Sequence, residues 1–536
     1  MGKKPRPVVP IVPSAPPVPP ISKRQQKKAK KLANTDAAAS ATQKPVPAAA
    51  AQSSTSEASS LEHAPQPTSA ADLAAAEDRC FDPDVSGCKL PVGTVPARHE
   101  HTIEPLSLEI ARGECLRRLR LSFADAIRKL QLTGNVVGAF ERWHFGWLLA
   151  ATSEASVSGR SSKDPLLPVA TASPEADEAL ISELKDAGAS HAVALGAVSA
   201  LRTSADMEAN NFAAARLGVL KSDPEEIEIE LHSTSESGNG SGGLSHINLG
   251  SLLPAPLKIS NEWLAKLRAM HAAAASSVAG ETSGQVKRED AGERRFRIDL
   301  ARLLLRYKAI GGSGFQAALG GGAFAVLRSC FGTSMECFAS PLNARSSPFC
   351  SAFPDCDRPF GSLGSFLDLS PRNGAFEANP PFVPLLIGAM CKHMEALLAA
   401  AEADQQPLLF AVIVGASAGL KRHDAWQSMQ QIAASRFGRA QWLVALHAHG
   451  YTEGHAHICK GGAREARRMS SCDTAVFIWA TSAAAVKWPA TSVAEAALRR
   501  AMKATVPKNL HKASKANKLA HAAKVEKKRS KSKRGA

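Results

Sequence analysis

The chain has 536 residues, 44% apolar and 21% charged, with a net charge of +16. That is enough apolar sequence for a sizeable core, while no run of about 18 apolar residues occurs, so a membrane-spanning helix is not expected. The N-terminus lacks the apolar stretch of a secretory leader, and ten scattered cysteines show no tight framework; both argue against a secreted disulfide scaffold and for a reducing compartment.

The positive charge sits at the ends. Residues 1–33 carry nine Lys or Arg and no acid, and residues 499–536 carry fourteen against the single Glu526. The stretch between them is slightly acidic. Runs such as Lys23-Arg24 and Lys527-Lys528-Arg529 read as nuclear localisation signals or nucleic-acid tethers, with solubilising tails as the alternative. Residues 1–98, rich in Pro, Ala, Ser and Lys, are expected to be disordered, as are residues 499–536. Cys80 and Cys88 have no matching ligand pair nearby.

Residues 99–311 predict a mainly helical domain. Leu108, Ala111, Cys115, Leu119, Phe123, Ile127 and Leu130 recur at three- and four-residue steps, as one buried helix face requires. Arg117, Arg118, Arg120 and Arg128 decorate that helix and read as its solvated face. Trp143 and Trp147, four apart, share a helix face; core packing is the ordinary reading and a base-stacking wall the alternative. Ser- and Gly-rich interruptions at 152–178 and 233–247 read as loops, and a last helix over 293–309 ends at Gly311-Gly312.

Residues 312–498 change texture. Gly374–Ala378, Leu408–Val414, Gln441–Leu446 and Thr474–Trp479 are short apolar runs that alternate with helix-length segments. This predicts an α/β sheet with its site at the carboxyl ends of strands. Gly320-Gly321-Gly322 reads as a loop between helices. Glu336 to Asn343 is the best candidate for a cofactor-cradling strand-end loop. His447, His449, His455, His457 and Cys459 lie within thirteen residues but lack the supporting pair a zinc site needs, so no metal is expected. Cys337, Cys350 and Cys356 also lack ligand spacing.

The most informative stretch is 374–382, a strand running into Asn379-Pro380-Pro381-Phe382 and then a long Ala/Leu-rich helix pattern. Enzymes that methylate exocyclic amino groups use this layout. The adenine N6 amine is a poor nucleophile because its lone pair is delocalised into the ring. Asn379 can accept one amine hydrogen through its side-chain oxygen and Pro380 the other through its carbonyl. The two prolines stiffen the loop, and Phe382 can stack on the base. The same tetrapeptide also fits an ordinary Pro-Pro turn after a strand.

Taken with other blocks in order, the chain resembles the phosphorylated-CTD-interacting factor family of cap-specific adenosine N6-methyltransferases. The matching pieces are Arg306-Tyr307 with Gly311-Gly312, residues 336–343 (ECFASPLN), 350–355, Pro359 to Ser362, 374–382 (GAFEANPPF) and Ser435 to Phe437. They continue with His449, Tyr451, Gly454 and His457 to Lys460, then Asp473 to Val476 and Lys487-Trp488. Both tyrosines of the chain fall in these blocks.

The resemblance implies a helical domain on a Rossmann-like methyltransferase core, acting in the nucleus. It implies S-adenosylmethionine as cofactor and the capped mRNA 5′ end as substrate, methylated on a cap-adjacent 2′-O-methyladenosine. Asn379, Pro380, Pro381 and Phe382 match the catalytic motif. Glu336, Ser340, Pro341, Asn343, Phe360, Gly361 and Asn379 match segments expected to line the cofactor site, with no metal. Three departures stand out. No Trp precedes Trp143, although animal members carry a WW domain that binds the phosphorylated RNA polymerase II C-terminal domain; this puts polymerase docking in question. Pro384 replaces an acidic residue, and residues 415–420 (GASAGL) replace a Trp- and Pro-rich substrate contact. Two other readings stay open: an adenine N6-methyltransferase on another RNA or DNA context, and a catalytically silent RNA- or polymerase-binding factor.

Overall fold

The computed structural model describes residues 104–507, except 135, 159–163, 168–172, 222–228, 234–242, 277–285 and 312–314, together with Ser69, 75–77 and 79–82. Most of the two tails expected to be disordered, the Lys-Arg runs and Cys88 lie outside these residues.

Four helices open the described part: α1 (Leu106–Lys129), α2 (Ala139–Ser158), α3 (Pro174–Asp186) and α4 (His191–Lys221). The predicted face of α1 is real, with Leu108, Cys115, Leu119 and Phe123 buried. Trp143 and Trp147 of α2 are also buried, and the Trp143 indole N–H donates to Asp177 Oδ1 at 2.9 Å, so these rings pack the core. The arginines of α1 are paired with carboxylates: Arg117 with Glu114, Arg118 with Glu208, Arg120 with Glu141 and Arg128 with Asp125.

The expected loops at 152–178 and 233–247 are shorter than their composition suggests. α2 runs to Ser158 and α3 starts at Pro174, capped by the Ser173 hydroxyl. A three-stranded antiparallel sheet also interrupts the helical part, made of β1 (Glu230–Ser233), β2 (Leu244–Asn248) and β3 (Leu257–Ser260). Alternation over four or five residues was too brief to separate it from loop. Two further helices follow, α5 (Asn261–Ser276) and α6 (Val286–Ile310).

Arg306 of α6 joins this part to the α/β core. Its guanidinium is wholly buried and donates to Glu109 Oε1 of α1 at 2.6 Å and to Asp355 Oδ2 at 2.7 Å. Next to it, the Tyr307 hydroxyl donates to Asp357 Oδ2 at 2.8 Å. Buried charges are tolerated only when paired and hydrogen-bonded in this way.

The core begins with α7 (Gly321–Phe331), which Gly321 and Gly322 open as buried first-turn residues; the three glycines are a helix start, not a free loop. Then come β4 (Met335–Glu336), β5 (Gly374–Ala378), α8 (Pro384–Ala403), β6 (Leu408–Gly415), α9 (Asp424–Ala434), β7 (Gly438–Val444), β8 (Gly450–Thr452), β9 (Arg467–Met469), β10 (Thr474–Ala480) and α10 (Ser492–Ala504). The sheet order is β4-β5-β6-β10-β7, with β4, β5 and β6 parallel and β10 antiparallel to both neighbours.

β6 is buried at every position, as a central strand covered on both faces must be. α8 is apolar and long enough to cross a bilayer by composition, yet Ile387, Met390, Met394 and Leu398 are buried in one cluster with Phe376 and Phe410 of the sheet. α10 carries buried Leu498, Ala501 and Met502, so packed structure continues to Ala504, beyond the boundary expected at 498. This is the α/β, Rossmann-like core with a preceding mainly helical part.

Candidate active site

The predicted motif stands where β5 ends. Ala378 is the last strand residue and Asn379 follows, half-buried. Its side-chain Nδ2 donates to the Ala317 carbonyl at 3.2 Å. A carbonyl can only accept, so this contact sets the amide orientation and leaves Oδ1 turned to another partner. Among the described residues, neither Asn379 Oδ1 nor the Pro380 carbonyl has a hydrogen-bond partner.

The turn itself is tight. Val383 N donates to the Pro381 carbonyl at 2.6 Å, and Pro384 sits in the first turn of α8, where a missing N–H costs nothing. Phe382 remains 36% exposed. Its ring lies against Gly415 at the end of β6; a Cβ there would come within 2.6 Å of Phe382 Cε2. Gly415 thus lets the ring approach the backbone of the neighbouring strand. Leu385, one helical step on, packs against Gly146 of α2, where an added Cβ would meet Leu385 Cδ1 at 3.0 Å. The helical part therefore abuts the chain just after the motif.

A strap formed by residues 315–318 crosses the ends of β4 and β5. The Phe315 ring stacks on Phe145 of α2, with centroids 5.8 Å apart and planes 7° apart. The Gln316 carbonyl accepts from Asn343 Nδ2 at 3.1 Å, the Ala317 carbonyl accepts from Asn379, and Ala318 pairs with Thr452 of β8. Two asparagines from successive strand-end loops thus grip consecutive carbonyls. Asn343 also holds its own loop, its Oδ1 accepting from Ser340 N at 2.7 Å and Ser340 Oγ at 2.9 Å. Pro341 is buried, and the Leu342 carbonyl accepts from Trp263 Nε1 at 2.7 Å and Lys266 Nζ at 3.3 Å of α5.

Glu336 and Glu377 are register partners on parallel β4 and β5, both buried. Burial raises both carboxyls above their ordinary range; the neighbouring Glu336 pushes Glu377 up further, while Arg345 and Lys266 hold Glu336 back to about 7. Glu336 Oε1 accepts from Arg345 N at 2.6 Å, whereas Glu377 Oε1 has no partner among the described residues.

The structure gathers Asn379, Asn343 and Ser340 around the strap, with Glu336 beside them. Phe360 and Gly361 stand further out, past the edge of β4. Phe360 is wholly buried with its ring edge-on to His271, and Gly361, at φ +96°, packs against Ser347. The strap and Glu377 went unread in the sequence. Glu377 lay inside the quoted motif, but the strap acts through backbone carbonyls, which no residue type announces.

The other constellations turn inward. His449 bonds Thr474 Oγ1 at 2.7 Å and the Ala445 carbonyl at 3.0 Å, and His457 bonds the Gly454 carbonyl at 3.0 Å. Cys337, Cys350 and Cys356 are buried, and burial pushes their thiols well up, away from nucleophilic character.

A Rossmann-like core with an amide-bearing, proline-stiffened loop at a strand end defines the class of this site. Residues 266–454 match the family model described as "Phosphorylated CTD interacting factor 1 WW domain". That stretch runs from within α5 to the turn after β8 and so falls on the sheet and the motif. The chain is also similar to the mRNA (2′-O-methyladenosine-N(6)-)-methyltransferases of Homo sapiens and Mus musculus, each 38% identical over 209 residues, or 38% of this chain. The aligned region spans 28% of the length of either relative.

Proposed function

We propose that this protein is a methyltransferase acting on N6 of the 2′-O-methyladenosine beside an mRNA cap, with S-adenosylmethionine as cofactor. The observation that carries the reading is the orientation of Asn379. Its Nδ2 is committed to Ala317, so its Oδ1 and the Pro380 carbonyl remain as two acceptors at the end of β5, beside a half-exposed ring. Two acceptors suit the two hydrogens of an exocyclic amine, and the ring suits the face of a base. The similarity to methyltransferases named for this reaction supports the choice of substrate.

The residues present fit a cationic cofactor. Glu377, at the carboxyl end of β5, has one buried oxygen without a partner among the described residues, and a cationic group beside it would draw its raised carboxyl back to the charged form. Asn343 and Ser340, bonded to each other and to the strap, would shape the loop that meets the cofactor. When bound, the cofactor supplies an electrophilic methyl group. Asn379 Oδ1 and the Pro380 carbonyl each hold one N–H, which pulls the amine hydrogens to one side and aims the lone pair away from them. Phe382 fixes the plane of the base, and the strap fixes Asn379. Orientation of this kind can supply roughly 7–11 kcal/mol of a barrier. A terminal nucleotide is already unstacked, so presenting its base costs less than extruding one from a duplex. The basic tails fit a nuclear, RNA-directed protein.

The test is methyl transfer from labelled S-adenosylmethionine to short RNAs that differ only at the 5′ end. The expected result is labelling of an RNA beginning with 7-methylguanosine and 2′-O-methyladenosine, and none of its uncapped counterpart. Equal labelling of both would replace the cap-adjacent substrate with a broader adenine substrate. Binding of the cofactor with no labelling of either would overturn the enzymatic reading.

A further inference from the structure

Residues 75–77 and 79–82 were expected to be part of a disordered N-terminal region, yet they pack. Ala76, Glu77, Cys80 and Asp82 are all buried. The low-complexity composition around them hid this, because the contacts are polar and reach partners more than 180 residues away.

Their partners flank the candidate site. Glu77 Oε2 accepts from Gly322 N at 2.9 Å, in the first turn of α7, where a carboxylate is favoured by the unsatisfied N–H groups and the helix dipole. Gly321 must be glycine there: a Cβ would lie 1.9 Å from the Ala76 carbonyl and 2.0 Å from Arg345 Nη2. On the other side, Arg345 is enclosed by the segment. Its Nη2 donates to the Ala76 carbonyl at 2.9 Å, its Nη1 to the Arg79 carbonyl, and its own carbonyl accepts from Asp82 N at 2.8 Å. Cys80 N donates to Glu262 Oε1 of α5 at 3.1 Å.

Gly320 follows Ala317 by three residues, and Arg345 follows Asn343 by two. The segment therefore grips the chain immediately after the strap that holds Asn379 and immediately after the loop that Asn343 closes. We infer that residues 76–77 and 79–82 are a clasp that positions the strap and the Ser340–Asn343 loop, with Glu77 as its positioning residue. The inference deepens the proposed methyl transfer and rests on that reading for its catalytic consequence. The clasp touches neither Asn379 nor Phe382, so its effect passes through Ala317 and Asn343.

The test uses the full chain and the variants Glu77→Ala and Glu77→Gln. Amide hydrogen exchange is followed over residues 316–322 and 340–346, and S-adenosylhomocysteine affinity by calorimetry. kcat and KM on the capped RNA are measured alongside. For Glu77→Ala, exchange should quicken in both stretches while the rest of the sheet stays protected. Cofactor-product affinity and kcat should each fall on the order of tenfold, the scale of one hydrogen bond to a charged acceptor, with KM for RNA unchanged. Glu77→Gln keeps the shape and one acceptor, should lose less, and serves if Glu77→Ala does not fold.

Unchanged exchange in both stretches would overturn the clasp whatever the wild-type activity. Faster exchange with unchanged kcat and affinity would reduce it to a purely structural contact. If the wild-type chain neither binds S-adenosylhomocysteine nor methylates RNA, the proposed reaction fails, and the exchange measurement still decides whether the clasp orders these two stretches.

Discussion

Replacing Gly415 with alanine tests whether Phe382 must sit where it does. The added methyl would lie 2.6 Å from Phe382 Cε2 and 2.8 Å from Cζ. Ordinary carbon–carbon contact is about 3.5–4 Å, so one side must retreat by about 1 Å. The strand cannot: Gly415 pairs with Thr474 of β10, and Val414 before it is wholly buried. Phe382, 36% exposed on a turn, can. Fold stability should therefore change little, while the ring leaves the plane in which it would meet a base. A misplacement of about 1 Å in a positioning group can cost on the order of 10²-fold in rate. The assay is single-turnover methylation of capped RNA, with thermal melting in parallel. Gly388→Ala is the control: an added Cβ there meets nothing within 4 Å, and alanine within a helix should stabilise by about 0.5–1 kcal/mol. Wild-type turnover in a folded Gly415→Ala protein would refute the stacking role of Phe382.

Three further outcomes are expected. Asn379→Ala should abolish methylation while the melting temperature holds, because among the described residues its side chain bonds the Ala317 carbonyl of the strap and nothing else; residual methylation near the wild-type rate would remove Asn379 from the mechanism. Arg306→Ala should destabilise by roughly 3 kcal/mol, since it removes a buried cation and leaves Glu109 with Arg112 as its remaining ion-pair partner; a denaturation midpoint close to wild type would contradict this. Asp357 gives a pH signature. Burial raises its carboxyl from 3.8 to about 7. An acid that holds its proton more tightly when folded contributes stability that is full below its unfolded value and is lost as pH rises through the folded one. Asp357→Asn should flatten the fall in melting temperature between about pH 4 and pH 7; a wild-type slope in that variant would show that another group carries it.

The helices were legible wherever one face had to be buried over several turns. Leu108, Cys115, Leu119 and Phe123 marked α1, and the continuous run of β6 marked the centre of the sheet. The brief strands at 230–260 were not, because a few residues of alternation carry too little pattern against Ser- and Gly-rich surroundings. Composition also misplaced residues 75–77 and 79–82, where Glu77 and Asp82 find partners far along the chain.

The sequence by itself determined the chemical inventory of the candidate site: an amide, two prolines and a phenylalanine after a strand, in a chain that resembles RNA methyltransferases over its core. Tertiary structure alone decided which way the amide faces, because the acceptor that turns it is the Ala317 carbonyl, present in every residue type and so invisible in a sequence. It also paired Glu336 with Glu377 and set Phe382 on Gly415, since strand register and the approach of neighbouring strands follow from packing across the sheet.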